Sequence, residues 1–219
     1  LSRKRYKMKG KHVLFGISPF NSKFNENYIK NMLEWGFDNY DHVDVLHPHE
    51  EAKYLLIGAG DNEVKARKKS RKEFYRIERA INNYLSMSSH DFFAKRILKF
   101  SDFYADELYK KNVEIIKEDF KNNENFHSLC ITQSYKAILN RKNAISKTSE
   151  IKEQDIIIAT EYIIREIPFI ISPSLLSSSL TSLHISYYCS WPIADYVYAG
   201  KLSISPSSDT KIIVKDHSI

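Results

Sequence analysis

The stretch His12 to Asn21, HVLFGISPFN, constrains the fold more than any other part of this chain. Val13, Leu14, Phe15 and Ile17 are β-branched or bulky and no charge interrupts them, the pattern of a strand buried on both faces of a parallel sheet. Pro19 has no amide hydrogen to give to a sheet ladder, so the strand must stop and leave Ser18 at its carboxyl end. Asn25 to Phe37 follows with Tyr28, Met32, Leu33 and Trp35 at helical spacing, ending near Gly36, and His42 to Leu46 (HVDVL) reads as a second strand. Strand, helix and strand in so short a span make a βαβ unit with a right-handed crossover. Open sheets of this kind place their ligands at the carboxyl ends of the strands. Ser18 is therefore either a turn serine, since Ser-Pro commonly opens turns, or a nucleophile at the ligand edge.

Further along, Glu50 to Ile57 predicts a short helix, and Asn62 to Tyr84 a long one, free of Gly and Pro. Ala94 to Phe100 predicts a third strand. Phe103 to Phe120, Phe126 to Asn140 and Gln154 to Glu166 have helical periodicity, with Pro168 closing the last. Phe169 to Ile171 reads as a strand, Ser172 to Ser182 as a Ser-rich mobile loop, and Leu183 to Tyr188 as a strand. A short helix near Ile193 to Tyr198 and an edge strand at Lys211 to Val214 complete the pattern. On the helix ending near Glu166, Tyr162 and Glu166 stand i,i+4 apart in an apolar run and so share a face. A carboxylate there is costly unless it is paired, for which Arg165 is the near candidate, or used; burial should raise its pKa.

The length of 219 residues suits one domain with a full core. The formal net charge of +6 is concentrated: Lys65 to Arg79 holds eight basic and two acidic residues, so the remainder is neutral. At 100° per residue Lys65, Lys68, Lys69, Lys72, Arg76 and Arg79 fall on one arc, with Phe74, Ile77, Ile81 and Leu85 opposite. A solvated face is the plainer reading. Against it, the arc contains no acid at i,i+4, and a local basic block on a balanced chain implies a polyanion, nucleic acid before lipid.

Cys130 and Cys189 lie far apart and outside any CxxC or Cys/His spacing, which points to a reducing compartment, the cytoplasm, and to no zinc site. HPHEE (His47 to Glu51) fits no standard metal spacing. The GAG at Gly58 to Gly60 is no dinucleotide fingerprint, since Glu63 stands where a third glycine is needed. Ile156 to Leu176 is the longest apolar region, but Glu161, Arg165, Glu166 and two prolines bar it from spanning a bilayer. The sequence starts at Leu1 with no apolar signal segment, so a few native residues are expected to be missing and secretion is not expected.

Five motifs, GISPFNS (Gly16 to Ser22), VKARKKSRKEFYR (Val64 to Arg76), FSDF (Phe100 to Phe103), EYIIREIPF (Glu161 to Phe169) and SYYCSWPIAD (Ser186 to Asp195), stand in an order and spacing that resemble the tRNA-dependent cyclodipeptide synthases. The resemblance runs from about Lys11 onward. It implies a single synthase domain over 1–219. It also implies an α/β fold, a Rossmann-like, mostly parallel sheet flanked by helices, like the catalytic domain of class Ic aminoacyl-tRNA synthetases. The HIGH and KMSKS-type ATP motifs of those synthetases are missing, and ISKTS at Ile145 to Ser149 is too far from the pattern to count. An aminoacyl ester on tRNA is already activated, so the reaction needs neither cofactor nor metal.

By the same resemblance Ser18 matches the nucleophile that takes the first aminoacyl group, and two aminoacyl-tRNAs give a cyclic dipeptide by a ping-pong route. Tyr162 and Glu166 match the pair that holds the α-amino group, Glu166 also moving protons. Tyr187 matches the tyrosine of the cyclisation relay, and Tyr109 and Asn140 match further polar residues of the aminoacyl site. Asn21 places the chain in the subfamily with Asn three residues after the serine, similar to Bacillus-type cyclodileucine synthases. Tyr188 stands where Gln or His is usual. Leu14, Gly16, Leu46, Phe100, Phe169 and Ile185 match the first amino-acid pocket; none is charged, which suits leucine and a partner such as leucyl-tRNA, with no membrane. Two other classes compete: an RNA-binding module without catalysis, and a hydrolase using Ser18 or Cys189 with His184, which lacks a GxSxG elbow.

Overall fold

The computed structural model describes residues 9–88, 95–146, 149–172, 175–176 and 183–218. Five strands, β1 (Gly10–Gly16), β2 (Tyr40–His47), β3 (Lys95–Lys99), β4 (Leu183–Tyr187) and β5 (Thr210–Val214), form one sheet in the order β3-β2-β1-β4-β5. Every neighbouring pair is parallel, and β5 is the edge strand that its alternation predicts. This is the Rossmann-like order, in which the winding direction reverses between β1 and β4. Leu14 lies opposite Asp44 on one side and Ile185 on the other. The apolar run is thus the middle of the sheet, and Val13, Leu14 and Phe15 are almost without exposure.

Helices α1 (Glu26–Asn39) and α3 (Glu63–Met87) cover one face, packing Ile29, Met32, Leu33, Ile77 and Ile81 against Phe15, Val43 and Val45. The opposite face packs Leu14, Leu46, Leu98 and Ile185 against α4 (Glu107–Asn122), α5 (Glu124–Ala144), α6 (Glu153–Ile171) and α7 (Pro192–Tyr198), through Ile116, Phe126, Ile167 and Ile193. Each such side chain, fully buried, contributes about 1.5–3 kcal/mol. A short helix, α2 (Lys53–Gly58), follows a 3-10 turn at His49–Ala52 and seats against α5 and α6 through Leu55, Ala59, Ile138 and Ala159. Four helices begin at Asn or Asp caps: Asn25, Asn62, Asp106 and Asn123 each accept the amide of the residue three further on.

Two elements depart from the sequence reading. Gly36 does not stop α1; it lies inside the helix, where an added Cβ would stand 2.8 Å from the Phe15 ring, so it is a contact glycine that lets α1 lie close on β1. Nor does α6 end before Pro168. It runs to Ile171, and Phe169 to Ile171, read as a strand, is its last turn. Pro168 gives up one helical hydrogen bond, but Phe169, Ile170 and Ile171 are all buried and hold the turn in register. The expected Ser-rich loop lies mostly outside the described residues. The tail after β5 returns under α1: the Lys23 ammonium meets the Asp216 carboxylate at 2.6 Å, and the His217 ring sits 5.2–5.8 Å from those of Trp35, Phe15 and Tyr28.

Candidate active site

Beyond β1 the ladder continues for one more residue, the Ile17 amide donating to the Leu46 carbonyl at 3.0 Å, and the chain then turns at Ser18. A cleft of about 610 Å³ opens there, at the carboxyl ends of β1 and β4 and between them and α5 and α6. It is lined by Ser18, Asn21, Asn140, Tyr162, Glu166, Tyr187 and Tyr188, among others. Residues separated by most of the chain meet here because β4 pairs directly with β1.

Glu166 is buried, and it carries the chemistry most specific to the site. Its Oε1 accepts the Tyr187 hydroxyl at 3.0 Å, and the Tyr162 hydroxyl is a second hydrogen-bond partner. Burial raises the carboxyl pKa to about 7, against the opposing effect of the two hydrogen bonds. Both tyrosines are held well above the ordinary phenol value, first by burial and then by the carboxylate beside them. The Arg165 pairing considered for Glu166 does not form; Arg165 pairs with Glu161 at 3.3 Å. Tyr162 stacks on Phe100 at 5.9 Å, and Trp191 lies 5.4 Å from Tyr187, so neither phenol is free to swing. Gly16 is needed for this arrangement: a Cβ there would stand 2.4 Å from the Tyr187 ring.

Leu14, Leu46, Phe100, Phe169 and Ile185 belong to one buried cluster beneath Tyr162 and Tyr187, with Gly16 at its upper edge. They form a packed floor and do not line the open cleft. Tyr109 is likewise buried outside the cleft; its hydroxyl donates to the Arg165 carbonyl at 3.1 Å and so braces the turn of α6 that carries Glu166. Tyr188, whose role the sequence left open, lines the cleft with Ser18, Asn21 and Cys189, and burial, with the neighbouring Cys189, pushes its pKa up to about 12. His184 is bonded to the Tyr40 hydroxyl at 2.7 Å near the start of β4, so it serves neither Ser18 nor Cys189 as a base. Among the described residues no group of three His, Cys, Asp or Glu could hold a metal, and no helix is long and apolar enough to cross a membrane.

The cationic arc of α3 is exposed, and its six members differ. Lys65 and Lys69 lie 3.6 and 2.6 Å from the carboxylate of Asp61, which precedes the helix. Arg76 pairs with Glu73 at 2.7 Å. Lys68, Lys72 and Arg79 form no ion pair among the described residues. Acids absent from the arc therefore come to it from the turn before the helix and from the helix flank.

Comparison with known proteins places this geometry. The chain is 34% identical to a cyclo(L-leucyl-L-leucyl) synthase of Bacillus subtilis, with 89% of this chain and 77% of that protein covered, and 33% identical to one of Photorhabdus laumondii, with 90% and 84% covered. The crystal structure of a cyclodipeptide synthase from Bacillus thermoamylovorans superposes with a TM-score of 0.83 at 29% identity, covering 93% of this chain and 87% of that one. With the cyclodipeptide synthase family model matching residues 3–215, the whole sheet and all of the cleft, the chain belongs to the cyclodipeptide synthase family.

Proposed function

We propose that this chain takes leucyl groups from two leucyl-tRNAs and joins them as cyclo(Leu-Leu) through an aminoacyl ester on Ser18, in the cytoplasm where its substrate is made. The observation that carries the reading is Glu166: a buried carboxyl with a pKa of about 7, held by Tyr162 and Tyr187, in the same cleft as Ser18. Such a group can take and return a proton near neutrality.

In the first step the Ser18 oxygen adds to the ester carbonyl, the carbonyl–ribose bond breaks, and the serine proton ends on the departing ribose hydroxyl. Tyr188 and Asn21 flank the serine in the cleft. The bound residue's ammonium must then lose a proton, which Glu166 is in our reading the group to accept; its nitrogen attacks the ester carbonyl of the second substrate, that carbonyl–ribose bond breaks, and the second tRNA leaves with a second proton from the amine on its ribose hydroxyl. In the last step the new terminal amine attacks the Ser18 ester, closing the ring and returning the serine oxygen its proton; Tyr187, bonded to Glu166, offers a path for it. Leu14, Gly16, Leu46, Phe100, Phe169 and Ile185 lie packed behind Tyr162 and Tyr187 and bear on the bound amino acid only through the residues that line the cleft; the choice of leucine follows the leucyl products named for the relatives. Lys68, Lys72 and Arg79, with Lys65 and Lys69 able to turn from Asp61 toward phosphate, suit the tRNA backbone.

The test is incubation with labelled leucyl-tRNA. Labelled protein and cyclo(Leu-Leu) are expected from the native chain, and neither from Ser18→Ala, which should still bind tRNA. Binding without either product would mean an RNA-binding module, and release of free leucine alone a hydrolase.

A further inference from the structure

The nucleophile loop is held from the far side by α3, through residues outside the reaction. Phe20, two residues after Ser18, has a φ of 61°, in the left-handed region that a bulky side chain seldom adopts. Such a conformation persists only where the surroundings enforce it. Its amide donates to Glu73 Oε1 at 3.1 Å, a contact between residues 53 positions apart. Glu73 is itself steered. The Arg76 guanidinium grips both of its oxygens, Nε to Oε2 at 2.9 Å and Nη2 to Oε1 at 2.7 Å, while Nη1 donates to the Phe24 carbonyl at 2.8 Å, where the loop ends. The Glu73 side chain is 11% exposed, so water competes little for the Phe20 amide. From the cleft side the Arg141 guanidinium lies 4.8 Å above the Phe20 ring.

We propose that Glu73, oriented by Arg76, is a positioning residue for Ser18: it fixes the left-handed turn that aims the serine into the cleft. Arg76 then belongs to this clamp, since three of its five N–H donors go to Glu73 and Phe24, and the tRNA contacts are assigned to the other cations of the arc. The inference rests on the reading of Ser18 as the acylated residue. A misplacement of about 1 Å can cost on the order of 10²-fold in rate without touching the reacting atoms. Removing the clamp should thus lower the rate at saturating substrate and leave substrate affinity alone.

The experiment is single-turnover transfer of label from leucyl-tRNA to protein, measured against tRNA concentration for the native chain, Glu73→Ala, Glu73→Gln, Lys68→Gln/Lys72→Gln and Ser18→Ala, with the melting temperature of each. Glu73→Ala should acylate about 10- to 100-fold more slowly at saturation, with half-saturation unchanged. Glu73→Gln keeps an acceptor for the Phe20 amide and should recover much of the rate. The lysine pair should show the opposite split, with weaker half-saturation and an undiminished limiting rate. Should Glu73→Ala be too unstable to assay, Glu73→Gln alone must fall between native and fully impaired at an assay temperature below its melting point. Native limiting rates in Glu73→Ala, a loss confined to half-saturation, or a Gln variant no better than Ala would overturn the proposal. If instead Ser18→Ala takes up label, or the native chain takes up none, the acyl-serine reading fails and not the clamp alone.

Discussion

Glu166 concentrates the consequences that a single residue can have here. A carboxyl with a pKa of about 7 is half ionised at neutrality, so proton acceptance should raise turnover as pH increases through 7 and then level off. Glu166→Gln keeps the shape and removes the base; cyclic dipeptide formation should fall by about 10²- to 10⁴-fold with tRNA affinity retained, measured by product yield beside a binding assay. The same group should mark stability. Between pH 4.5 and 7 the folded carboxyl holds a proton that the unfolded chain has released, so its contribution is full below 4.5 and is lost as pH rises through 7. Glu166→Gln should therefore gain on the native chain over that window by on the order of 3 kcal/mol, from urea unfolding at pH 4.5 and 7.5. Gly16→Ala should be damaging out of proportion to one methyl group, because Tyr187 must leave its place against Glu166; the expected result is a folded protein with most of its cyclisation lost. The Tyr162–Glu166 pair was legible in the sequence, since i,i+4 spacing in an apolar run is a local signal. The Tyr188–Ser18 and Glu73–Phe20 contacts were not, for they join distant segments, and Glu73 reads as one acid in a basic tract.

At the scale of an element, α3 combines a core face, a cationic face and, through Glu73, a hydrogen bond to the loop that follows Ser18. With Lys68, Lys72 and Arg79 free of ion pairs among the described residues, tRNA affinity should fall with salt at a log–log slope of roughly −2 to −3 from these three, steeper as Lys65 and Lys69 join. Lys68→Gln with Lys72→Gln should flatten the slope by about 1.5 and weaken all acceptor tRNAs alike, without changing which amino acid is used. An unaltered slope would make the arc a solvated face. The positions of elements were well read where the signal is local. Asn25 and Asn62 announce α1 and α3, and the buried strand is plain from its uninterrupted apolar run. The misreadings share one physical cause: Gly36 and Pro168 are helix breakers by local rule, and both sit in helices because packing against Phe15, or burial of the last turn of α6, outweighs the local cost.

For the whole molecule, two buried histidines weaken the fold toward acid, against the opposing contribution of Glu166. Burial lowers His47 to about 3 and His217 to about 4, so each is neutral in the folded state while the unfolded chain binds protons below about 6.5. Their contribution is present above that pH and is lost as pH falls toward 4. Urea stability should decline across this range, and His217→Phe, an aromatic without a titrating nitrogen, should lessen the decline. The order of the sheet has a consequence of another kind. β1 lies between β2, made soon after it, and β4, made when most of the chain is already built, and the cleft lies at that late junction. On the ribosome the first three strands therefore leave the exit tunnel with one edge of β1 still unpaired, its N–H and C=O groups open to chaperones and to neighbouring nascent chains. Until β4 emerges to cover it, Tyr187 and Tyr188 are not there to meet Glu166 and Ser18. A ribosome-bound precursor thus draws aminoacyl-tRNA for its own elongation while it cannot yet divert any of it.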